Sequence, residues 1–552
     1  MHTVVDEGGE SGSQATPAAA TAGAPAWPTW LAPAAVAGVV AVGLVARFVT
    51  SSPLWLDEAL SANIARLGVG DMLDALRHDG HPPLYYLLLH GWMQVFGESD
   101  GAVRALSGVF SVATLPLAWI AGRRLAGVAG GRWALVVFSL SPYSIRYATE
   151  TRMYSLVMLL VLAGYLLVSD ALRAPTRLRL AAIAAVSGLL LLTHYWSIYL
   201  LAAVGVLLVV RWRRSLAERP ATLRVLGAVA AGGVLFLPWL GGFLYQAGHT
   251  GTPWGEPYRP TELVQATLSD MGGGQVSEAL LAGALVIALS LLALLTVRSE
   301  GTRVTLDLRT APTARVELIL VALTAAIGTV AGYATSATYQ SRYAAVFVPL
   351  LLLVVAVGIT RVPGVAQLVV GAALAGLSRA GSVYPPVFDR TPAGVVADAV
   401  AARAEPGDVV VYCPDQLGPA YSRAVRRAAG GDLVELSYPL LSSPVRVDWV
   451  DYADRNAAAD PAAIAEEVRE RADGHAVFVV WMSEYRTFGE QCEELVNALG
   501  AGELLVTSDG QSYYEPANLH HVADVSPDGA SATRASAGGN AAAAGSAGAD
   551  GP

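Results

Sequence analysis

Charge is what this chain has least of. Asp, Glu, Lys and Arg make up 15% of its 552 residues, against about a quarter in an ordinary soluble domain. Lysine is missing entirely, so all 36 basic residues are Arg, a compositional bias that points to no particular chemistry. Only 2 Cys are present, which excludes a disulfide scaffold and a four-thiolate metal site. The net charge of −9, with no basic arm or cluster, excludes nucleic acid as a partner. Residues 1–26 lack the basic start and cleavage pattern of a signal peptide and are expected to be a disordered cytoplasmic leader. Residues 523–552, almost all Ala, Gly, Ser and Asp, hold too few large apolar groups to offset the cost of ordering and are expected to be a tail.

What is abundant is apolar surface: 54% of the residues are hydrophobic and the mean hydropathy is +0.47. Eleven apolar windows, at about 29–50, 102–122, 132–145, 153–169, 178–193, 196–211, 224–245, 276–297, 316–335, 343–360 and 365–380, predict a polytopic all-α membrane domain over 27–382. A twelfth apolar segment, 83–96, reaches only roughly 21 Å as a helix and falls short of a bilayer. Arginine placement supports leaving it out. If it does not cross, the clusters at Arg123–Arg132, Arg173–Arg179, Arg211–Arg219 and Arg298–Arg315 all share one side, which the positive-inside rule makes the cytoplasm. The 83–96 helix is then expected to lie at the outer interface. This topology predicts a cell-membrane protein with a cytoplasmic N-terminus. Its outer segments are 51–101, 146–152, the His194–Trp196 turn, 246–275 and 336–343, together with everything after about Arg379.

Residues 391–520 change character. Buried-strand runs at Asp408–Tyr412 and Ala476–Trp481 alternate with helical spacing at 393–404, 461–473 and 489–499, which predicts a small extracytoplasmic α/β domain. Cys413 and Cys492 both fall in it, and spacing alone leaves open whether they form a disulfide or stay two buried thiols.

The chemistry-bearing residues gather in the outer segments. In Trp55-Leu-Asp-Glu-Ala-Leu60 an acidic pair, Asp57 and Glu58, opens a short helix whose Leu60, Ile64 and Leu67 give it one apolar stripe to rest on the membrane. Partial desolvation there is expected to raise the carboxylate pKa and improve it as a proton acceptor; the bland alternative is a pair of solvated helix-start charges. Gly68 and Gly70 are expected to break this helix, and Asp71 to cap a second one running through Leu76. Asp79-Gly-His81-Pro-Pro83 follows and brings His81 to the membrane edge, in a structural or a binding role. Arg146 and Glu150 are spaced as a helix-end ion pair. His194-Tyr195-Trp196 is an aromatic hairpin, suited to sugar stacking or to mere interfacial anchoring. Gly272-Gly-Gly274 is expected to lend loop flexibility.

The Leu-Asp-Glu pair after the first span, His81-Pro-Pro-Leu-Tyr85-Tyr86 some twenty residues on, then Phe96-Gly-Glu98 and Arg104, resembles the GT-C superfamily of integral-membrane glycosyltransferases. The closest likeness is to the protein O-mannosyltransferase and lipid A aminoarabinose transferase branch. It is specific over about 50–200, looser to about 380, and does not reach the α/β domain. The resemblance implies inverting transfer of a sugar, mannose or another, from a polyprenyl-phosphate donor to a glycan, lipid or protein acceptor hydroxyl on the outer face. It makes Asp57 the catalytic base, with Glu58 orienting it or the acceptor. Arg342, with Tyr343 beside it in Tyr339-Gln-Ser-Arg-Tyr343, takes the donor phosphate, since a guanidinium grips phosphate oxygens as a fork. His81, Tyr85, Arg146, Glu150, His194 and Tyr195 are assigned to substrate binding. A divalent metal stays open, with Asp57 and Glu150 as candidate ligands, because the spacing has no diagnostic pattern. Two rivals remain: a lipid-linked sugar flippase, which would be expected to bury charges within its spans, and a glycan-binding scaffold without activity.

Overall fold

A computed structural model describes residues 31–523, apart from 253–254, 256, 275–276, 301–302, 311–312, 336, 363, 388, 484, 501 and 509–512. The expected leader at 1–26 lies outside the described residues, as does the tail beyond 523.

The described part of each of the eleven apolar windows is mainly helical. Two of them share one segment, Asp100–Leu140, which reverses at Ala126 and Gly127, where glycine takes φ +65. The reversal makes a tight hairpin: a Cβ on Gly122 would stand 2.6 Å from the Gly130 carbonyl oxygen, so only glycine lets the two arms meet. Arg47, at the end of Leu31–Ala46, bridges both arms by donating to Ser111 Oγ at 2.9 Å and to the carbonyls of Phe138 and Ser139 at 2.6 and 3.0 Å. Among the described residues five helices are long and apolar enough to cross a bilayer and three shorter apolar helices accompany them; the chain is a multi-pass membrane protein. Helix Val348–Thr360 is buried along nearly its whole length and forms the centre of the bundle, packed on Asp100–Leu140 and Ser277–Leu294. Where a plain loop was expected after 297, β1 (Leu295–Glu300) pairs antiparallel with β2 (Arg303–Thr310).

The segment 83–96 is the helix Leu84–Phe96. The helix that carries the acidic pair, Leu56–Ala65, does not rest on a surface by one stripe as expected. It is buried on almost every side, held between Leu84–Phe96 and the later helix Gly418–Ala428. The next helix, Val69–Asp79, contains Gly70 rather than starting after it, and Gly68, not Asp71, is its cap.

The C-terminal region forms a five-stranded sheet from β3 (Val409–Cys413), β4 (Val434–Ser437), β5 (Val477–Trp481), β6 (Glu503–Val506) and β7 (Asn518–Val522), in the order β4-β3-β5-β7-β6. The first three are parallel, with helical crossovers, and β7 and β6 run antiparallel at one side. β3 is buried on both faces, as expected of a central parallel strand written as an unbroken apolar run. Cys413 and Cys492 are joined in a disulfide that ties the end of β3 to helix Gln491–Leu499. It closes a loop of 79 residues, and constraint of the unfolded chain alone predicts about 4 kcal/mol of stabilisation. Reduction, or Cys492→Ser, is therefore expected to lower the melting temperature of the sheet region, measured by thermal unfolding with and without dithiothreitol.

Candidate active site

Asp57 and Glu58 sit in the first turn of Leu56–Ala65, so their side chains leave the helix about 100° apart and meet different surroundings. Asp57 turns toward the loop Thr338–Val346. Its Oδ2 accepts a hydrogen bond from Arg342 Nη1 at 2.7 Å, and Arg152 Nε lies 3.9 Å away. Some 285 residues separate Asp57 and Arg342 along the chain. Tyr143 holds the arginine's backbone in place, donating from its hydroxyl to the carbonyls of Ser341 and Arg342 at 3.1 and 3.0 Å. Burial pushes the Asp57 carboxyl up, but Arg342, then Arg152 and His81, outweigh it and hold the group below the usual carboxylate range. This corrects the expectation of a raised value, which took desolvation into account and could not see the guanidinia.

Glu58 turns the other way and is fully buried. Its carboxylate accepts from Arg104 Nε at 2.7 Å and Nη2 at 2.5 Å, from the Thr151 amide at 3.0 Å and from Arg390 Nη1 at 3.4 Å. With four donors on two oxygens it has no lone pair left for a substrate. Glu58 ties the helix that carries Asp57 to Arg104, Arg390 and the Thr151 amide. Arg104 also donates to the Ser52 and Pro53 carbonyls, at 2.6 and 3.0 Å, which fixes the approach to Asp57.

His81 is oriented from both sides. Its Nδ1 lies 2.8 Å from Asp79 Oδ2, and its Nε2 lies 2.8 Å from Arg152 Nη2; because a guanidinium only donates, Nε2 accepts and Nδ1–H donates. Tyr86 also donates to Asp79 at 2.8 Å. His194 lies between Tyr154 and Tyr343, its ring tilted to both, with ring centroids 5.8 and 5.2 Å away, and Trp196 faces Tyr343 at 5.8 Å. The Tyr154 hydroxyl is buried with no hydrogen-bond partner among the described residues.

A family model described as dolichyl-phosphate-mannose-protein mannosyltransferase matches residues 80–241. The crystal structure of ArnT from Cupriavidus metallidurans bound to undecaprenyl phosphate superposes with TM-score 0.52 at 14% identity, covering 90% of this chain and 98% of that one. Its apo form superposes with TM-score 0.56 at 13% identity, covering 90% and 99%. The likeness to these solved structures is one of fold. No curated protein sequence matches this chain.

The remaining expected site residues divide. Arg146 and Glu150 do pair, at 3.3 Å, but the shorter bond from Arg146 goes to Asp270 at 2.6 Å, and its guanidinium lies 4.8 Å over the Tyr514 ring. Tyr85 is not at the site: it is buried with its hydroxyl on Ser107 Oγ at 2.9 Å. Tyr195 also points away, its hydroxyl donating to Gln246 Oε1 and accepting from Trp239 Nε1 at 2.9 Å. Gly272–Gly274 are a tight turn rather than a flexible loop. Gly273 and Gly274 have φ +101 and +114, and a Cβ on Gly272 would stand 2.6 Å from Ala279 backbone, which sets the helix bearing Asp270 against Ser277–Leu294.

Asp57, Glu58, Glu150 and Asp270 face Arg104, Arg146, Arg152, Arg342 and Arg390, while Asp79 holds His81. Burial raises the Glu150 carboxyl against the pull of Arg146 and Arg390. A divalent cation does not fit. Among the described residues no three His, Cys, Asp or Glu side chains form a ligand group, and both candidate ligands, Asp57 and Glu150, already face arginines. Asp270 and Arg390 carried no local sequence signal, because each acts through partners more than 120 residues away. Asp79 and Arg152 did lie within the motif stretches around His81 and Glu150.

Proposed function

We propose that this protein is a glycosyltransferase that moves a sugar from a polyprenyl-phosphate donor to an acceptor hydroxyl at the outer face of the membrane, with inversion at the anomeric carbon. The observation that carries the reading is the 2.7 Å contact between Asp57 and Arg342, an ionised carboxylate and a phosphate-binding cation side by side. The acceptor O–H proton passes to Asp57 as its oxygen attacks the anomeric carbon. The bond from that carbon to the phosphate oxygen breaks, and the departing polyprenyl phosphate is held by Arg342, with Arg152 behind it. Arg342 exchanges its carboxylate partner for the donor phosphate, which frees the Asp57 oxygen to take the proton. His81, His194, Tyr154 and Tyr343 are the groups nearest this exchange and are proposed to line the sugar.

The lipid-bound GT-C neighbour supports a polyprenyl-phosphate ligand in general; mannose as the sugar is part of the proposal. Arg342→Gln is expected to weaken donor use by about 2–3 kcal/mol, a 30- to 150-fold loss in kcat/KM for a labelled polyprenyl-phosphate sugar. Because the strongest charge lowering Asp57 is then gone, the acid limb of the pH profile moves to higher pH. A variant with unchanged donor kinetics and an unmoved acid limb sinks the phosphate role.

A further inference from the structure

The sheet region has a cleft of its own. In an open parallel sheet the loops at the carboxyl ends of the strands leave a crevice where the chain order reverses, and ligands bind there. Here the chain runs from β3 to β4 on one side and then returns to β5 on the other, so the reversal lies between β3 and β5, and the cavity opens beside it at the carboxyl ends of β3 and β4. Asp415 follows the end of β3 and Ser437 ends β4. Both line a cavity of about 360 Å³ with His78, Arg446, Asp448 and Arg455, within the roughly 300–1,000 Å³ of small-molecule sites.

We propose that this cleft binds a neutral carbohydrate, and that it holds the acceptor glycan for the transfer proposed above. Three observations point there. The first is unmet hydrogen-bonding capacity: Ser437 is 1% exposed and its Oγ, like Arg455 Nε, is buried with no partner among the described residues. Such groups are costly unless a ligand completes them. The second is charge. Asp74 and Asp448 stand against Arg446 and Arg455, which suits a polyol and disfavours a phosphate. Asp415, whose hydroxyl partner is Tyr452 at 2.5 Å, is pushed up to about 7 by burial, so near neutral pH it both accepts and donates as sugar hydroxyls require. The third is connection. Ile64, on the same helix as Asp57, and His78, three residues before His81, both line the cleft. The cleft is thus built in part on the helix that carries the proposed base. The acceptor role rests on the transferase reading; carbohydrate binding does not.

The test uses the full chain in nanodiscs and two independent readouts. Saturation-transfer NMR measures binding of mannotriose, maltotriose, mannose 6-phosphate and a Ser/Thr-rich peptide. Hydrolysis of polyprenyl-phosphate mannose to free sugar reports the donor side alone. At least one neutral trisaccharide is expected to bind saturably, and Ser437→Ala and Asp415→Asn each to weaken it about five- to tenfold with donor hydrolysis unchanged. Ser437→Ala breaks no internal bond, and Arg446→Gln at the exposed rim is a further variant with little effect on folding; it too is expected to weaken the trisaccharide. Affinity unaltered in all three variants overturns the site. So does tighter binding of mannose 6-phosphate or the peptide, or no saturable trisaccharide binding at all. Variant-sensitive trisaccharide binding in a protein that never turns over a lipid donor upholds the cleft and removes the transferase reading instead.

Discussion

Asp57→Asn is expected to lower the rate of sugar transfer by about 10²–10⁴-fold, the usual contribution of a positioned general base. The substitution keeps size and most hydrogen-bonding geometry, so the bundle should fold. What it removes is the acceptor for the proton and the carboxylate that Arg342 holds at 2.7 Å. The second loss makes the prediction specific. With its partner neutral, Arg342 no longer has to exchange one anion for another, so polyprenyl phosphate should bind as tightly as in the wild type or more tightly, measured as its inhibition constant. A collapse in turnover without a collapse in lipid affinity separates a base from a binding residue; transfer at the wild-type rate would remove Asp57 from the mechanism. The pH profile carries the same logic. Arg342, Arg152 and His81 outweigh burial and hold Asp57 below the ordinary carboxylate range. The base is ionised above that value, so activity is kept through mild acid and falls only as pH drops through it.

Arg104→Met is expected to destabilise the protein by about 3–5 kcal/mol, the cost of leaving a buried charge without its main partner. Glu58 is fully buried, and Arg104 supplies its two shortest hydrogen bonds, at 2.5 and 2.7 Å. Arg390 and the Thr151 amide remain, but neither is a bidentate partner. The double variant Arg104→Met with Glu58→Gln should recover part of the loss, because the uncompensated charge is then gone. Thermal unfolding in detergent of the four proteins in this cycle measures it; a double variant no more stable than Arg104→Met would mean that the pair is not the strut proposed here. Burial raises the Glu58 carboxyl, yet Arg104, Arg390 and the Thr151 amide more than reverse this and leave it below its ordinary value. A group lowered by folding stabilises above its unfolded pKa, so this contribution is whole at neutral pH and is lost as pH falls through the folded value.

Asp57 and Glu58 show how one helical step separates two chemically identical neighbours. In the sequence they are a single acidic pair with one assignment. Their 100° separation around Leu56–Ala65 sends one to a cation in a late loop and seals the other in a four-donor clamp. Hydropathy runs of helical length located the bundle, because each apolar helix must be long enough for the bilayer and that requirement is written locally. The strands Val409–Cys413 and Val477–Trp481 were legible for the same reason, as unbroken apolar runs bounded by turn residues. The shorter and half-exposed strands β4, β6 and β7 were not, since four or five residues with mixed burial carry no distinctive period.

By itself, then, the amino-acid order determined a multi-pass helical protein with a small α/β unit after it, and marked Asp57, His81 and Arg342 as residues with chemistry. Only the tertiary structure decided that Cys413 meets Cys492, that Glu58 is a strut, that Tyr85 and Tyr195 stand apart, and that Arg152, Asp270 and Arg390 belong to the charged cluster. The physical reason is range. Periodicity and span length are properties of neighbouring residues, whereas charge compensation in a buried site is settled between side chains brought together from distant parts of the chain.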